Sequence, residues 1–144
     1  MRWFAITAIL IFIDQLSKLI ASRLGWPIFL NNQFAFSLPV PVIIMFAIYV
    51  VVLIGISVYV HSAWKRFDNL QRWAWALVYA GGLSNILERI FLGHVRDFIP
   101  LFNGILNFAD FYILIGLVLL LISQRYSLKR AMSSDANSEH SEKL

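Results

Sequence analysis

The chain has 144 residues, 60% of them hydrophobic and 14% charged, with a formal net charge of +4. A soluble domain is roughly 45–50% apolar and about 25% charged, so an apolar body of one-domain size calls for lipid as its solvent. The absence of cysteine excludes disulfides, thiolate catalysis and sulfur-ligated metals. His61, His94 and His140 lie too far apart to show a zinc or iron ligand spacing.

A bilayer-spanning helix needs about 20 mostly apolar residues, and four stretches meet or approach that length. The first, 3–21, is interrupted by Asp14 and Lys18. It has the basic residue and apolar run of a secretory leader. The two charges and the lack of a small-x-small cleavage site mark it instead as a retained helix. The second, 40–60, has no charge and Ser57 as its small polar residue. The third, 73–92, is apolar until Glu88 and Arg89, and the fourth, 107–124, has Asp110 near its start.

Two connections, 22–39 and 93–106, are long for simple turns, and function tends to reside in such loops. The first holds Gly25, Pro27, Asn31, Asn32 and Pro39, and the second Arg96, Asp97, Pro100 and Gly104. The polar residues 133–144 show no apolar period, so we expect one membrane domain over 1–126 and a disordered cytoplasmic tail over 127–144.

Lysine and arginine gather on the cytoplasmic side of membrane proteins. Arg2, Lys65, Arg66, Arg72, Arg125, Lys129, Arg130 and Lys143 fall on one side, and Lys18, Arg23, Arg89 and Arg96 on the other. That split places both termini in the cytoplasm and makes the basic residues topology signals in preference to a nucleic-acid patch. Trp3, Trp64, Trp73 and Trp75 fall near the inner boundary and Trp26 near the outer one, as an aromatic belt would.

Charges inside hydrocarbon are costly and usually serve function. Asp14 and Lys18 share a face of the first helix at i,i+4, and Gly81, Asn85 and Arg89 form a stripe on the third. Each has a structural reading as well. Asp14 and Lys18 could neutralise each other at the interface, and Gly81 and Gly82 could let helices pack closely. Asn85 and Arg89 could be glue, or Arg89 could snorkel, with Glu88 as its counter-ion. Asp97 could be a solvated loop residue and Asp110 a helix cap. Jointly, Asp97 and Asp110 bracket a short outer loop. Two close aspartates share one proton, so one can act as base on water while the other acts as acid.

Five blocks in order resemble the lipoprotein signal peptidase (signal peptidase II) family, over about 13–122. Asp14-Gln15-Leu16-Ser17-Lys18 is similar to D-Q-x-x-K, and Asn31-Asn32-Gln33-Phe34-Ala35-Phe36 to N-x-G-x-A-F. Gly81-Gly82-Leu83-Ser84-Asn85-Ile86-Leu87-Glu88-Arg89 resembles the glycine-rich block ending N-x-x-D-R. Val95-Arg96-Asp97-Phe98 and Asn107-Phe108-Ala109-Asp110 are similar to V-x-D-F and N-x-A-D.

The resemblance implies an all-α integral membrane protein with four transmembrane helices and a small extracytoplasmic β-rich flap around 26–38. It implies an inner-membrane aspartic endopeptidase that cuts diacylglyceryl-modified prolipoproteins before the lipid-modified cysteine and is blocked by globomycin. No metal or cofactor is implied. Asp97 and Asp110 become the catalytic pair, with Asn85, Arg89, Asn31, Asp14, Lys18 and Asn107 supporting them or binding substrate. Membrane lipid is the remaining partner, and a monomer suffices because both aspartates belong to one chain. The chain departs from the family pattern at Gln33, Ser84, Glu88 and Phe111, which bears on substrate preference and inhibitor sensitivity.

Three other readings stay open: a serine dyad of Ser84 with His94, a small transporter using intramembrane charges, and an inactive homologue acting as a membrane scaffold.

Overall fold

A computed structural model of the chain describes residues 2–32, 41–102 and 104–141, with 127–141 described by backbone alone. It contains helices α1 (Arg2–Arg23), α2 (Val42–Ala63), α3 (Asn69–Leu92) and α4 (Phe108–Ser141). Strands β1 (Phe29–Asn31), β2 (Val95–Asp97), β3 (Ile99–Leu101) and β4 (Gly104–Leu106) join them. At about 1.5 Å per residue, each helix exceeds the ~30 Å hydrocarbon layer. By length and composition α1 and the Phe108–Tyr126 part of α4 can cross a membrane, and the described apolar stretch of α2, Ala47–Ala63, is shorter. α3 carries Arg72, Glu88 and Arg89 toward its ends.

Local chemistry sets the helix limits. α3 begins a turn before the expected 73 because Asp68 and Gln71 form a capping box. The Asp68 carboxylate accepts the Gln71 amide at 2.7 Å, and the Gln71 side chain accepts the Asp68 amide at 3.0 Å. It stops at Gly93, whose φ of 79° is left-handed and whose N–H donates to the Arg89 carbonyl. α4 does not stop where its apolar run ends. No glycine or proline occurs between 117 and 144, and nothing in the backbone breaks the helix before Ser141. The backbone here departs from the unstructured tail expected over 127–144, of which 142–144 lie outside the described residues.

α3 and α4 approach closely. A Cβ on Gly81 would collide with the Ala109 carbonyl, and one on Gly116 would sit 2.7 Å from the Ala74 carbonyl. These two crossings, 81 with 109 and 74 with 116, make the pair antiparallel. Trp3 packs edge-on against Trp73 at 5.2 Å and Trp64 at 6.2 Å. The start of α1, the end of α2 and the start of α3 therefore share one end of the bundle. The far end holds the end of α1, the end of α3 and the start of α4, so the helices run alternately up and down.

At that far end the two long connections pair with each other. β1 and β2 are antiparallel with Phe29 opposite Asp97 and Asn31 opposite Val95. β3 and β4 form a hairpin with Ile99 opposite Leu106 and Leu101 opposite Gly104. The flap expected around 26–38 thus has only one described strand of its own, and that strand pairs with the connection between α3 and α4. Residues 33–38, Gln33 included, lie outside the described residues. Three-residue strands are too short to show a period of two, so sequence patterning left 93–106 as loop. At the hairpin turn Phe102 has φ 50°, a left-handed conformation that costs a non-glycine residue on the order of 1 kcal/mol.

Candidate active site

The site grows from the start of α4. Asn107 precedes the helix, and its side-chain oxygen accepts the Asp110 N–H at 3.0 Å while the Asp110 carboxylate accepts the Asn107 N–H at 3.1 Å. This reciprocal pair has the form of a capping box. The next orphan donor, the Ala109 N–H, is met by the Asp14 carboxylate at 2.9 Å from α1. Gly81 lets this turn come close enough for both contacts.

Asp14 and Lys18 are each 0% exposed. They pair at 2.7 Å, and the Lys18 ammonium also meets Glu88 at 2.8 Å. Glu88 in turn accepts the Arg96 guanidinium at 2.6 Å and the Arg96 backbone N–H at 3.1 Å. Two cations thus balance two anions, which is how a buried charge cluster becomes tolerable. Ser84 donates to Asp14 at 2.7 Å and accepts from Gln15 at 2.9 Å. The Arg96 guanidinium reaches the Gln15 carbonyl oxygen at 3.4 Å.

The cluster connects directly to the two aspartates. Lys18 donates to the Asn85 side-chain oxygen at 3.2 Å, which turns the Asn85 amide toward Asp110 at 2.9 Å. The second Asp110 oxygen takes the Asn107 N–H. Asp97, 2% exposed at the end of β2, accepts the Asn107 amide on one oxygen at 2.5 Å and the Asn31 amide on the other at 3.1 Å. Asn107 therefore links both carboxylates. Burial raises the Asp97 carboxyl above its ordinary value. The Asn107 and Asn31 amides oppose this rise, the charge of Asp110 adds to it, and Lys18 opposes it.

Asp97 and Asp110 line one cavity of about 490 Å³ together with Asn31, Asn85 and Arg89. Its wall is apolar, including Val52 and Ile56 from α2, Ile86 from α3 and Leu117 from α4. The Arg89 guanidinium lies over the Tyr49 ring at 5.3 Å. One of its nitrogens donates to the Asn85 carbonyl at 3.4 Å, and its Nε is buried without a hydrogen-bond partner.

All eight residues singled out from the sequence meet here: Asp97, Asp110, Asn85, Arg89, Asn31, Asp14, Lys18 and Asn107. Several structural readings change. Asp14 and Lys18 do pair with each other, but sealed inside the protein and joined to Glu88, Ser84 and Asn85. Among the described residues Glu88 forms its ion pairs with Lys18 and Arg96 and not with Arg89. Ser84 is fully buried and its hydroxyl is committed to Asp14 and Gln15, which leaves no nucleophile for a partnership with His94. Gln15 and Arg96 are members that sequence reasoning did not assign. Tyr49 also went unassigned, although a lone tyrosine in the first half of an uncharged helix was its signal.

Long apolar helices, with a charge-balanced polar cluster at one end opening on an apolar-walled cavity, fit the class of membrane enzymes. The chain matches the family model described as signal peptidase (SPase) II over residues 6–125. It belongs to this family and is a peptidase. It is similar to the lipoprotein signal peptidase of Caldanaerobacter subterraneus subsp. tengcongensis, 29% identical over 131 residues covering 80% of this chain and 90% of that one. The lipoprotein signal peptidase of Chromobacterium violaceum is 27% identical over 151 residues, covering 83% and 88%. A bacterial membrane enzyme solved by the in meso method at 2.3 Å shares the fold with a TM-score of 0.78 at 23% identity, covering 90% of each chain. A second, solved at 1.9 Å, has a TM-score of 0.73 at 23% identity, covering 85% of this chain and 92% of that one.

Proposed function

We propose that this chain is an aspartic endopeptidase of the bacterial cytoplasmic membrane. It removes signal peptides from diacylglyceryl-modified prolipoproteins by cutting before the lipid-modified cysteine. The family and the relatives named lipoprotein signal peptidase support the substrate class. The observation that carries the chemistry is that Asp97 and Asp110 line one cavity and are joined by Asn107.

In this reading the pair holds one proton. The ionised carboxylate takes a proton from water, whose oxygen attacks the scissile carbonyl carbon. The protonated partner donates to the carbonyl oxygen, and collapse of the tetrahedral species sends a proton to the leaving nitrogen. Asn31, Asn85 and Asn107 fix the two carboxylates, while Asp14 and Lys18 brace Asn85 and the start of α4. Arg89, with a donor to spare, holds a substrate carbonyl in a site where an unpaired polar group is costly. The apolar wall receives the signal helix or the acyl chains. All four helices span, both termini are cytoplasmic by the lysine and arginine split, the site faces outward, and a monomer is active.

The test is cleavage of a diacylglyceryl-modified prolipoprotein in liposomes by wild type, Asp97→Asn and Asp110→Asn. Wild type should cut and each variant should lose activity by about 10³-fold or more, a barrier rise of about 4 kcal/mol, while thermal unfolding shows both still folded. Activity surviving either change rejects the dyad.

The pH profile sharpens the test. A carboxyl whose value is raised keeps its proton to higher pH, so the shared proton should be lost, and cleavage fall, only as pH rises well past the ordinary aspartate value of 3.8. The same proton contributes stability that is present at low pH and lost as pH rises through the raised value. A decline in rate centred at the ordinary value would exclude the shared proton.

A further inference from the structure

Residues 98–109, which lie between the two aspartates, carry no charge. Within that stretch β3 and β4 pair with each other and with no other described strand. A lone two-stranded hairpin is marginal in water, yet this one exposes Leu101 and Ile105, and Phe102 at its turn is 99% exposed. Phe102 also has a positive φ. The chain holds a large apolar ring outward in an unfavourable backbone conformation, with no described ring contact in return. The root of the hairpin is aromatic: Phe98 packs against Phe108 at 6.0 Å and Trp26 at 6.2 Å, residue types that gather where bilayer meets water.

We propose that the β3–β4 hairpin is a lipid-interface anchor whose Phe102 ring sits among the head groups and upper acyl chains of the outer leaflet. The inference rests on the membrane-spanning reading above. Reach supports it, because a single residue, Asn107, separates β4 from the candidate span that begins at Phe108. From Leu106 back to Phe102 an extended chain covers at most about 14 Å, and each head-group layer is about 5–8 Å thick. A hairpin leaning on the membrane keeps its tip within that layer. Continuity supports it too: Phe91 and Leu92 at the end of α3 and Phe108 at the start of α4 are exposed at the same end of the bundle. The hairpin offers no charge with which to select a protein partner, whereas an apolar surface fits lipid. Asp97 and Asp110 flank the hairpin, so anchoring its tip fixes the depth of the pair relative to the bilayer.

A chain without cysteine suits single-site spin labelling. Phe102→Cys and, as a reference within α4, Leu114→Cys would each carry a nitroxide in phosphatidylcholine–phosphatidylglycerol liposomes. Power saturation would read access to dissolved oxygen and to a water-soluble nickel chelate. Both labels should favour oxygen over nickel, the label at 102 less strongly because it lies shallower. If the label at 102 is open to nickel while that at 114 is in lipid, the anchor fails and the spanning reading stands. If both are open to nickel, the spanning reading fails and the anchor with it. A label at 102 shielded from both reagents would overturn the anchor in favour of a protein contact.

Discussion

Helices α1, α3 and α4 at the end that carries the two aspartates are held by buried charge and close backbone contact, whereas α2 is held by neither. Asp14, Lys18, Glu88 and Arg96 tie α1 to α3 and to β2, and Gly81 seats the first turn of α4. Among the described residues of α2, only Met45 and Val60 are buried. Its described links to α3 include the Tyr79 hydroxyl donating to Ser57 at 2.9 Å, on an exposed face, and the Arg89 guanidinium over the Tyr49 ring. The difference separates two tasks. The braced unit holds the carboxylates in fixed geometry, and α2 supplies a largely apolar wall of the cavity.

This contrast can be broken most severely at Lys18. Lys18→Met should cost about 3–5 kcal/mol, because it leaves Asp14 and Glu88 buried without their shared cation. Thermal unfolding in detergent, with cleavage lost alongside, would show it. A near-neutral result would mean the cluster is not the brace.

Gly81→Ala comes next. Its methyl meets the Ala109 backbone carbonyl, which has no rotamer by which to move aside. About 1–3 kcal/mol of destabilisation is expected, with a fall in kcat because the Asp110 turn shifts. A Cβ on Gly82 meets nothing within 4 Å, so Gly82→Ala should stay within about 0.5 kcal/mol. Equal unfolding temperatures for the two variants would erase the distinction between seam and cavity wall.

The smallest effect belongs to α2. Tyr79→Phe removes one exposed hydrogen bond and should cost under about 1 kcal/mol, again read by thermal unfolding. A larger loss would show α2 to be as firmly held as the rest.

Much of the site was legible in the sequence because helical spacing exposes it. Asp14 with Lys18, and Gly81 with Asn85 and Arg89, repeat at four residues, and charges in apolar runs stand out. What periodicity hid was pairing across elements. Glu88 was matched with Arg89 because they are adjacent in the chain. Neighbours on a helix point about 100° apart, and the partners of Glu88 come instead from α1 and β2. Gln15 and Arg96 are ordinary residues in sequence and acquire meaning only once α1, α3 and β2 meet, and Ser84, weighed in sequence as a nucleophile, turns out to hold Asp14 and Gln15. The cap that starts α3 early was written in Asp68 and Gln71, but the apolar run drew the boundary to Trp73.

The Asp110 carboxylate both closes the first turn of α4 and lines the cavity, and this bears on which substitutions the position can accept over evolutionary time. An asparagine there retains one acceptor oxygen where two amide donors, from Asn85 and Asn107, now find one each. Such a change would therefore strand a donor and loosen the helix start, so the fold constrains this position independently of any chemistry the carboxylate performs.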